Sequence, residues 1–151
     1  MEWPSKGDMN RERATAQCLQ DVVQYIVDIQ RFIGTREFSA FANDLVLQRA
    51  VLYSAIAIGE AIKLIDPAVR EANPDVNWKG PAKFRDLLAH SYFVVDPKVV
   101  WETAQNHYPK LREQVETILA QLGHSQGAQV SEPPRQHDID DDEDEPDPPP
   151  M

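Results

Sequence analysis

The chain has little cysteine and no long apolar run, and both shortages restrict what it can be. Cys18 is the only cysteine among 151 residues, which excludes an intrachain disulfide and a multi-cysteine metal site. No stretch approaches the roughly 18 uncharged apolar residues of a membrane span. The opening residues also lack the apolar segment of a secretory signal. We therefore expect a cytoplasmic protein that makes no contact with a membrane.

Charge is distributed unevenly along the chain. The net charge is −10, yet residues 125–151 hold nine acids against one arginine, together with half of the twelve prolines. Such a composition favours a solvated extension over a packed core. We predict a flexible N-terminus over residues 1–10, a helical domain over 11–124 and a disordered, acidic, proline-rich tail over 125–151. The near-neutral domain argues against broad electrostatic binding of nucleic acid.

Apolar residues recur at spacings of three and four, which predicts helices, and strand alternation is lacking. The first helix is predicted from about Arg11 to Ile33, where Gly34 ends it. The second begins near Ser39 and runs to about Ile65. It carries two apolar rows, which imply burial on two sides: one side would face its own bundle, and the other could face a second copy. Gly59 within it predicts the close approach of a neighbouring helix.

The second half of the chain predicts a short helical turn over 68–73 and a third helix from about Pro81 to His90. Asp96-Pro97 is a strong signal for the start of a fourth helix. Pro109 lies inside that helix and predicts a kink or break there. His107 falls on its apolar row and is predicted to be a hydrogen-bonded core residue. The predicted fold class is all-α, an up-down bundle of four main helices.

Residues 85–92, with the sequence RDLLAHSY, concentrate groups that suit work on a phosphodiester. Arg85 presents a planar, always charged fork that matches phosphate oxygens. Histidine, here His90, is the side chain that exchanges protons near neutrality. Asp86 is four residues before His90 on a helix and could therefore orient the imidazole. The plain alternative is that an arginine and a histidine near a helix end have no catalytic role.

Spacing also sets a condition on any shared substrate. Arg85 and His90 are five residues apart, which places them about 140° apart around a regular helix. Both reach one phosphate only if the helix unwinds near His90 or if two chains contribute. A two-fold dimer would supply two histidines and two arginines to one cleft, and so both a base and an acid.

The pattern R-x-x-x-x-H-x-Y, formed by Arg85, His90 and Tyr92, resembles the hallmark of the HepT-like toxins of the HEPN ribonuclease superfamily. Asp86 stands where family members often have asparagine. Other segments resemble the family in the same order along residues 13–122: Phe38 before a long helix with Ile58-Gly59-Glu60-Ala61, then Asn73-Pro74-Asp75-Val76-Asn77-Trp78, Val100-Trp101 and Tyr108-Pro109-Lys110-Leu111.

The resemblance implies a homodimeric endoribonuclease that needs neither metal nor cofactor, acting as the toxin of a type II- or type VII-like toxin–antitoxin system. Arg85 and His90 would be the catalytic pair, with Asp86 in support. His90 would move protons while the RNA 2′-hydroxyl attacks the adjacent phosphate, and Arg85 would stabilise the developing charge. Transfer RNA and messenger RNA are the candidate substrates.

The resemblance also implies a partner. HepT-like toxins are usually paired with a minimal nucleotidyltransferase antitoxin, MntA-like, which transfers AMP onto the motif tyrosine. On this chain the acceptor would be Tyr92, and the added phosphate could pair with Arg85 in place of RNA. The alternative for Tyr92 is an aromatic at the bundle edge with its hydroxyl in water.

Two other functions stay open from the sequence. The chain could be a non-catalytic helical adaptor whose acidic tail is the working part, or a HEPN-like RNA-binding domain that has lost cleavage. The tail itself is either a solvated extension or a segment that imitates RNA or docks on a basic face of the antitoxin.

Overall fold

A computed structural model describes residues 6–91 and 94–127, and every described element is helical. The predicted all-α class is therefore confirmed. The described part does not include residues 1–5, Tyr92, Phe93 or residues 128–151. The last of these ranges contains most of the predicted tail. The elements are α1 Lys6–Ile33, α2 Phe38–Ala42, α3 Leu45–Lys63, α4 Pro67–Ala72, α5 Lys79–Ser91, α6 Pro97–Glu102, a π-helical turn Thr103–His107 and α7 Tyr108–Gly127.

Two local signals end and begin helices where the sequence places them. Gly34 has φ of +56°, a left-handed conformation that costs glycine little, and α1 ends directly before it. The carboxylate of Asp96 accepts a hydrogen bond from the backbone N–H of Lys98 at 2.9 Å, and Pro97 is the first residue of α6. Both predicted boundaries are confirmed.

The prediction of one long second helix is wrong, because the helix is interrupted at Asn43 and Asp44. Asp44 caps α3 by accepting from the N–H of Leu47 at 3.0 Å. The amide of Asn43 donates to the carbonyl of Ser39 at 2.8 Å. The amide of Gln48 reaches back to two carbonyls at the end of α2. Side chains thus bond the backbone groups that a continuous helix would bond to itself.

Replacing Asp44 by alanine should lower the free energy of unfolding by about 1 kcal/mol, because the cap on the first turn of α3 is lost. Asp44→Asn keeps a side-chain acceptor at this position and should lose much less. Urea unfolding of both variants, followed by circular dichroism, measures the difference. Equal losses in the two variants would contradict the capping role.

The core lies where α1, α3, α5 and the last helices meet. α3 packs against α1 on one side and against α5 on the other, so its two-sided burial is satisfied within one chain and does not require a second copy. The fully buried side chains with the largest volumes are Tyr108, Phe41, Leu19, Ile26, Ile29, Ile58, Ile62, Ile65, Leu88, Val22, Val51 and Val115.

The last helix departs from α-geometry just before Pro109, as predicted. Residues Thr103–His107 form a π-turn, which inserts an extra residue and so shifts the apolar row by one position. Tyr108 is therefore 2% exposed, while His107 is exposed. The prediction that His107 is a core residue is wrong for this reason.

α3 is the one described helix that is long and apolar enough, by length and composition, to cross a membrane. The core helix of a bundle passes the same test. Within its apolar window, 44% of the residues are buried in the bundle, among them Val51, Ile58 and Ile62. The apolar character of α3 is explained to that extent by packing inside the chain.

Candidate active site

Gly59 brings α3 and α5 close together at the position of Arg85. A Cβ atom added to Gly59 would lie 2.8 Å from the carbonyl oxygen of Pro81 and 2.9 Å from Cγ of Arg85. Real Cβ atoms do not approach other atoms so closely. The predicted close approach at Gly59 is confirmed, and the neighbouring helix is the one that carries Arg85.

The guanidinium of Arg85 is held by two carboxylates. Its Nε forms an ion pair with Glu60 of α3, and its Nη1 donates a hydrogen bond to Asp86 Oδ1 at 3.0 Å. Lys63 donates to the same oxygen of Asp86. We call Glu60, Lys63, Arg85 and Asp86 the charge cluster. Because the Arg85 side chain is 26% exposed, part of it stays accessible to solvent.

Asp86 remains ionised in this cluster well below neutral pH. The hydrogen bonds from Lys63 and then from Arg85 lower the pKa of its carboxyl below the usual value, because both donors favour the charged form. Over the described residues the carboxylate makes no hydrogen bond to His90. In the single chain Asp86 orients Arg85, and the expected contact with His90 is absent.

His90 lies in the last turn of α5 and is exposed. α5 remains helical through Ser91, so up to that residue the helix does not unwind at His90. Arg85 faces α3 on one side of α5, whereas His90 is about 140° away around the axis. With α5 in this conformation, one chain does not bring the two side chains to one phosphate.

The other predicted site residue, Tyr92, lies outside the described residues, and its role stays a prediction. Lys63 is a member of the charge cluster that the sequence did not reveal. The available signal was its position three residues after Glu60 on the helix that contains Gly59, which places both side chains on one face. Within residues 6–91 and 94–127, no group of three or more His, Cys, Asp or Glu could hold a metal ion.

Comparison with known proteins places the chain in a family. The family model described as "Ribonuclease HepT-like" matches residues 22–118, a span that includes Gly59, the charge cluster and His90. No solved structure matches the chain at a significant level.

Three curated relatives illustrate the similarity. "Probable ribonuclease HepT" of Thermococcus cleftensis is 35% identical over 107 residues, covering 71% of this chain and 97% of the relative. "Putative RNase MJ1216" of Methanocaldococcus jannaschii is 36% identical, covering 69% and 86%. "Putative RNase TTE0752" of Caldanaerobacter subterraneus is 43% identical, covering 60% and 80%. The chain belongs to the HepT-like ribonuclease family.

Proposed function

We propose that the protein is an endoribonuclease whose active site forms between two copies of the chain. The observation that carries this proposal is that Arg85 and His90 lie on different faces of α5. Arg85 is preorganised against α3 by Glu60 and Asp86, while His90 is exposed on another face of the same continuous helix. A two-fold axis beside α5 would bring Arg85 and His90 of both copies to one cleft.

Exposed apolar side chains support such a dimer. Leu87 is 48% exposed and lies three residues before His90, on the same side of α5. Val46 and Tyr53 are exposed on α3, seven residues apart, and so share one face of that helix. Apolar groups on the elements that carry the site are typical of a surface covered by a partner.

In the proposed reaction, one histidine takes the proton of the RNA 2′-hydroxyl and the freed oxygen attacks the adjacent phosphorus. The bond from phosphorus to the 5′-oxygen of the next nucleotide breaks, and the second histidine protonates that oxygen. The products are a 2′,3′-cyclic phosphate and a free 5′-hydroxyl. Arg85 stabilises the negative charge that builds on the non-bridging oxygens.

The charge cluster explains how Arg85 is kept ready for this role. Glu60 and Asp86 hold the long side chain in one arrangement, so less rotamer freedom is lost when a phosphate binds. Lys63 shares Asp86 and so reduces the negative charge that an incoming phosphate would meet. The RNA phosphate then competes with Glu60 and Asp86 for Arg85. The side chains of both acids are nearly half exposed to solvent.

We further propose that the protein is a cytoplasmic toxin neutralised by a nucleotidyltransferase antitoxin that transfers AMP to Tyr92. Tyr92 is two residues after His90 in the sequence, so a nucleotide there would crowd the RNA cleft. Coexpression with a candidate antitoxin, followed by mass spectrometry, tests this: AMP additions on wild type that Tyr92→Phe lacks are expected. Modification of Tyr92→Phe to the same extent would contradict the assignment.

The test of the ribonuclease proposal is RNA cleavage by the purified full chain in the presence of a metal chelator. Cleavage should continue and leave cyclic phosphate ends. Arg85→Ala should slow it by about 100- to 1,000-fold, because the group that stabilises the transition-state charge is removed.

Arg112 offers a matched control. It forms an ion pair with Glu116 in α7, as Arg85 does with Glu60, but it lies outside the charge cluster. Arg112→Ala should leave the cleavage rate unchanged. Cleavage that stops in the chelator, or that Arg85→Ala leaves intact, would refute the proposed mechanism. RNA binding without cleavage would favour a binding domain instead.

A further inference from the structure

The solvent side of α5 carries a row of side chains that are one turn apart. Spacings of four, three and four residues place the row within about 60° around the helix, and its members are Lys79, Lys83, Asp86 and His90. We call this row the α5 face. Its two lysines and its histidine are exposed. Its one acid, Asp86, is already bound by two cations of the charge cluster, so it does not neutralise the lysines.

The lysines of the α5 face carry charge that no described acid neutralises by an ion pair. Neither Lys79 nor Lys83 pairs with a described residue. The shallow cleft beside Lys79 also contains Arg70 and Glu71, whose charges cancel. The charge cluster is likewise balanced, with two cations and two acids. The region therefore has a surplus of two positive charges, on a chain whose net charge is −10.

The chain carries the complementary charge in one short segment. Between residues 138 and 147, eight of the ten residues are acids and none is basic. We call these ten residues the acidic segment. It lies outside the described residues and begins eleven positions after Gly127, where α7 ends. Its carboxylates outnumber the surplus cations around the α5 face.

The direction of α7 determines where the tail leaves the bundle. α7 packs along α1, and Arg112 near its start donates a hydrogen bond to Gln30 near the end of α1 at 2.6 Å, so the two helices run in opposite directions. Gly127 is fifteen residues further on, about 22 Å along the helix, and so is level with the first third of α1. There the hydroxyl of Thr15 accepts from the N–H of Asp66, just after the end of α3. The tail thus leaves the bundle at the end where α3, whose last residue belongs to the charge cluster, also ends.

The acidic segment is close enough in the chain to reach the whole α5 face. Eleven residues span up to about 36 Å when extended, and α5 with its 13 residues is about 20 Å long. A segment tethered in this way has an effective concentration in the millimolar range. Weak ion pairs, of the kind that salt screens, are then enough to keep it bound for much of the time.

We propose that the acidic segment docks on the α5 face of its own chain, with its carboxylates at Lys79 and Lys83, and covers His90. The docked segment repels other polyanions through its charge. Its consequence for RNA rests on the proposed ribonuclease function, because RNA must displace the segment before a phosphate can reach His90. The docking itself does not depend on catalysis.

The direct test is the reactivity of lysines in the full chain. A matched full-length variant replaces the eight acids of the acidic segment by their amides. Docking for about two thirds of the time leaves one third of the chains reactive, so acetylation of Lys79 and Lys83 at about 0.01 M salt should be about threefold slower in wild type than in the variant. Lys98, an exposed lysine outside the α5 face, is the control and should react equally in both proteins. At about 1 M salt the difference should vanish.

A carbodiimide, which joins carboxylates to amines in contact, identifies the binding partner of the acidic segment. Cross-links from this segment to Lys79 or Lys83 within one chain are expected, and a mixture of ¹⁴N- and ¹⁵N-labelled chains separates them from links between chains. Links only between differently labelled chains would overturn docking within the chain. Equal acetylation of the two lysines in wild type and in the amide variant would overturn docking altogether.

RNA cleavage at low salt measures the consequence of docking. The amide variant should have a KM about threefold lower than wild type and the same kcat, because docking withdraws free chains from binding and leaves the bound complex untouched. An unchanged KM would contradict the competition with RNA. Absence of cleavage in both proteins would refute the proposed ribonuclease function, while the acetylation test still decides the docking.

Discussion

Replacing Gly59 by alanine is expected to lower the free energy of unfolding by about 1 kcal/mol and to slow RNA cleavage on the order of 100-fold. The added Cβ would lie 2.8 Å from the backbone oxygen of Pro81, and backbone cannot rotate away as a flexible side chain can. α3 and α5 must therefore separate at this point. Overpacking of this kind costs about 1–3 kcal/mol.

Two effects on stability oppose each other in Gly59→Ala, and their relative sizes decide whether the free energy of unfolding falls or rises. Alanine in the interior of a helix is favoured over glycine by about 1 kcal/mol. The collision of the added methyl group with Pro81 and Arg85 exceeds this gain, since the backbone of α5 and the stem of Arg85 must both move. The displacement also moves the guanidinium away from Glu60, which explains why cleavage should fall along with stability.

Gly123 provides the matched control. It lies within α7, and a Cβ added there meets no atom within 4 Å. Gly123→Ala should therefore raise the free energy of unfolding by up to about 1 kcal/mol and leave cleavage unchanged. The comparison requires urea unfolding and a cleavage assay on both variants. Similar stability changes for Gly59→Ala and Gly123→Ala would show that the α3–α5 contact tolerates a methyl group.

The sequence predicted those parts of the fold that depend on local chemistry. Gly34 and Asp96-Pro97 mark helix ends through backbone conformation and capping, which act over a few residues. Pro109 announced a departure from α-geometry because a proline lacks the N–H of a regular helix. The break at Asn43 and Asp44 was missed, although the capping residue is local, because the apolar pattern continued across it.

The site required information that the sequence does not carry in one place. Lys63 and Asp86 are 23 positions apart in the sequence and meet only because Gly59 lets two helices approach. The π-turn before Tyr108 shifts the helical row by one residue, so His107, which was predicted to be in the core, is exposed and Tyr108 is buried instead. Both outcomes depend on packing between helices, which periodicity along one helix cannot reveal.

The second large effect expected is the loss of cleavage in His90→Ala, by about 100- to 10,000-fold, because a general acid–base group is removed. His90 is exposed at the end of α5 and no described residue hydrogen-bonds to its imidazole, so the substitution removes the imidazole at little cost to packing. Thermal unfolding of His90→Ala should therefore match wild type. A large loss of stability would make the loss of cleavage uninformative for the catalytic role.

Mixing the two proteins distinguishes a shared cleft from two separate sites. If both histidines of a dimer act on one phosphate, as base and as acid, only dimers with two wild-type chains cleave RNA. After subunits have exchanged in an equal mixture of wild type and His90→Ala, random pairing makes about one quarter of the dimers fully wild type. The mixture should then show about one quarter of the activity of pure wild type at the same total protein concentration. Independent sites would retain about one half.

Repeating the mixing experiment over a series of wild-type fractions, with Arg112→Ala in place of His90→Ala, controls for subunit exchange and dilution. Arg112→Ala should keep full activity in every mixture. A quadratic fall of the rate with the wild-type fraction would support a composite cleft that contains both histidines of the dimer. A linear fall would mean that one histidine is enough to complete each site, whether Arg85 of that site comes from the same chain or from the partner.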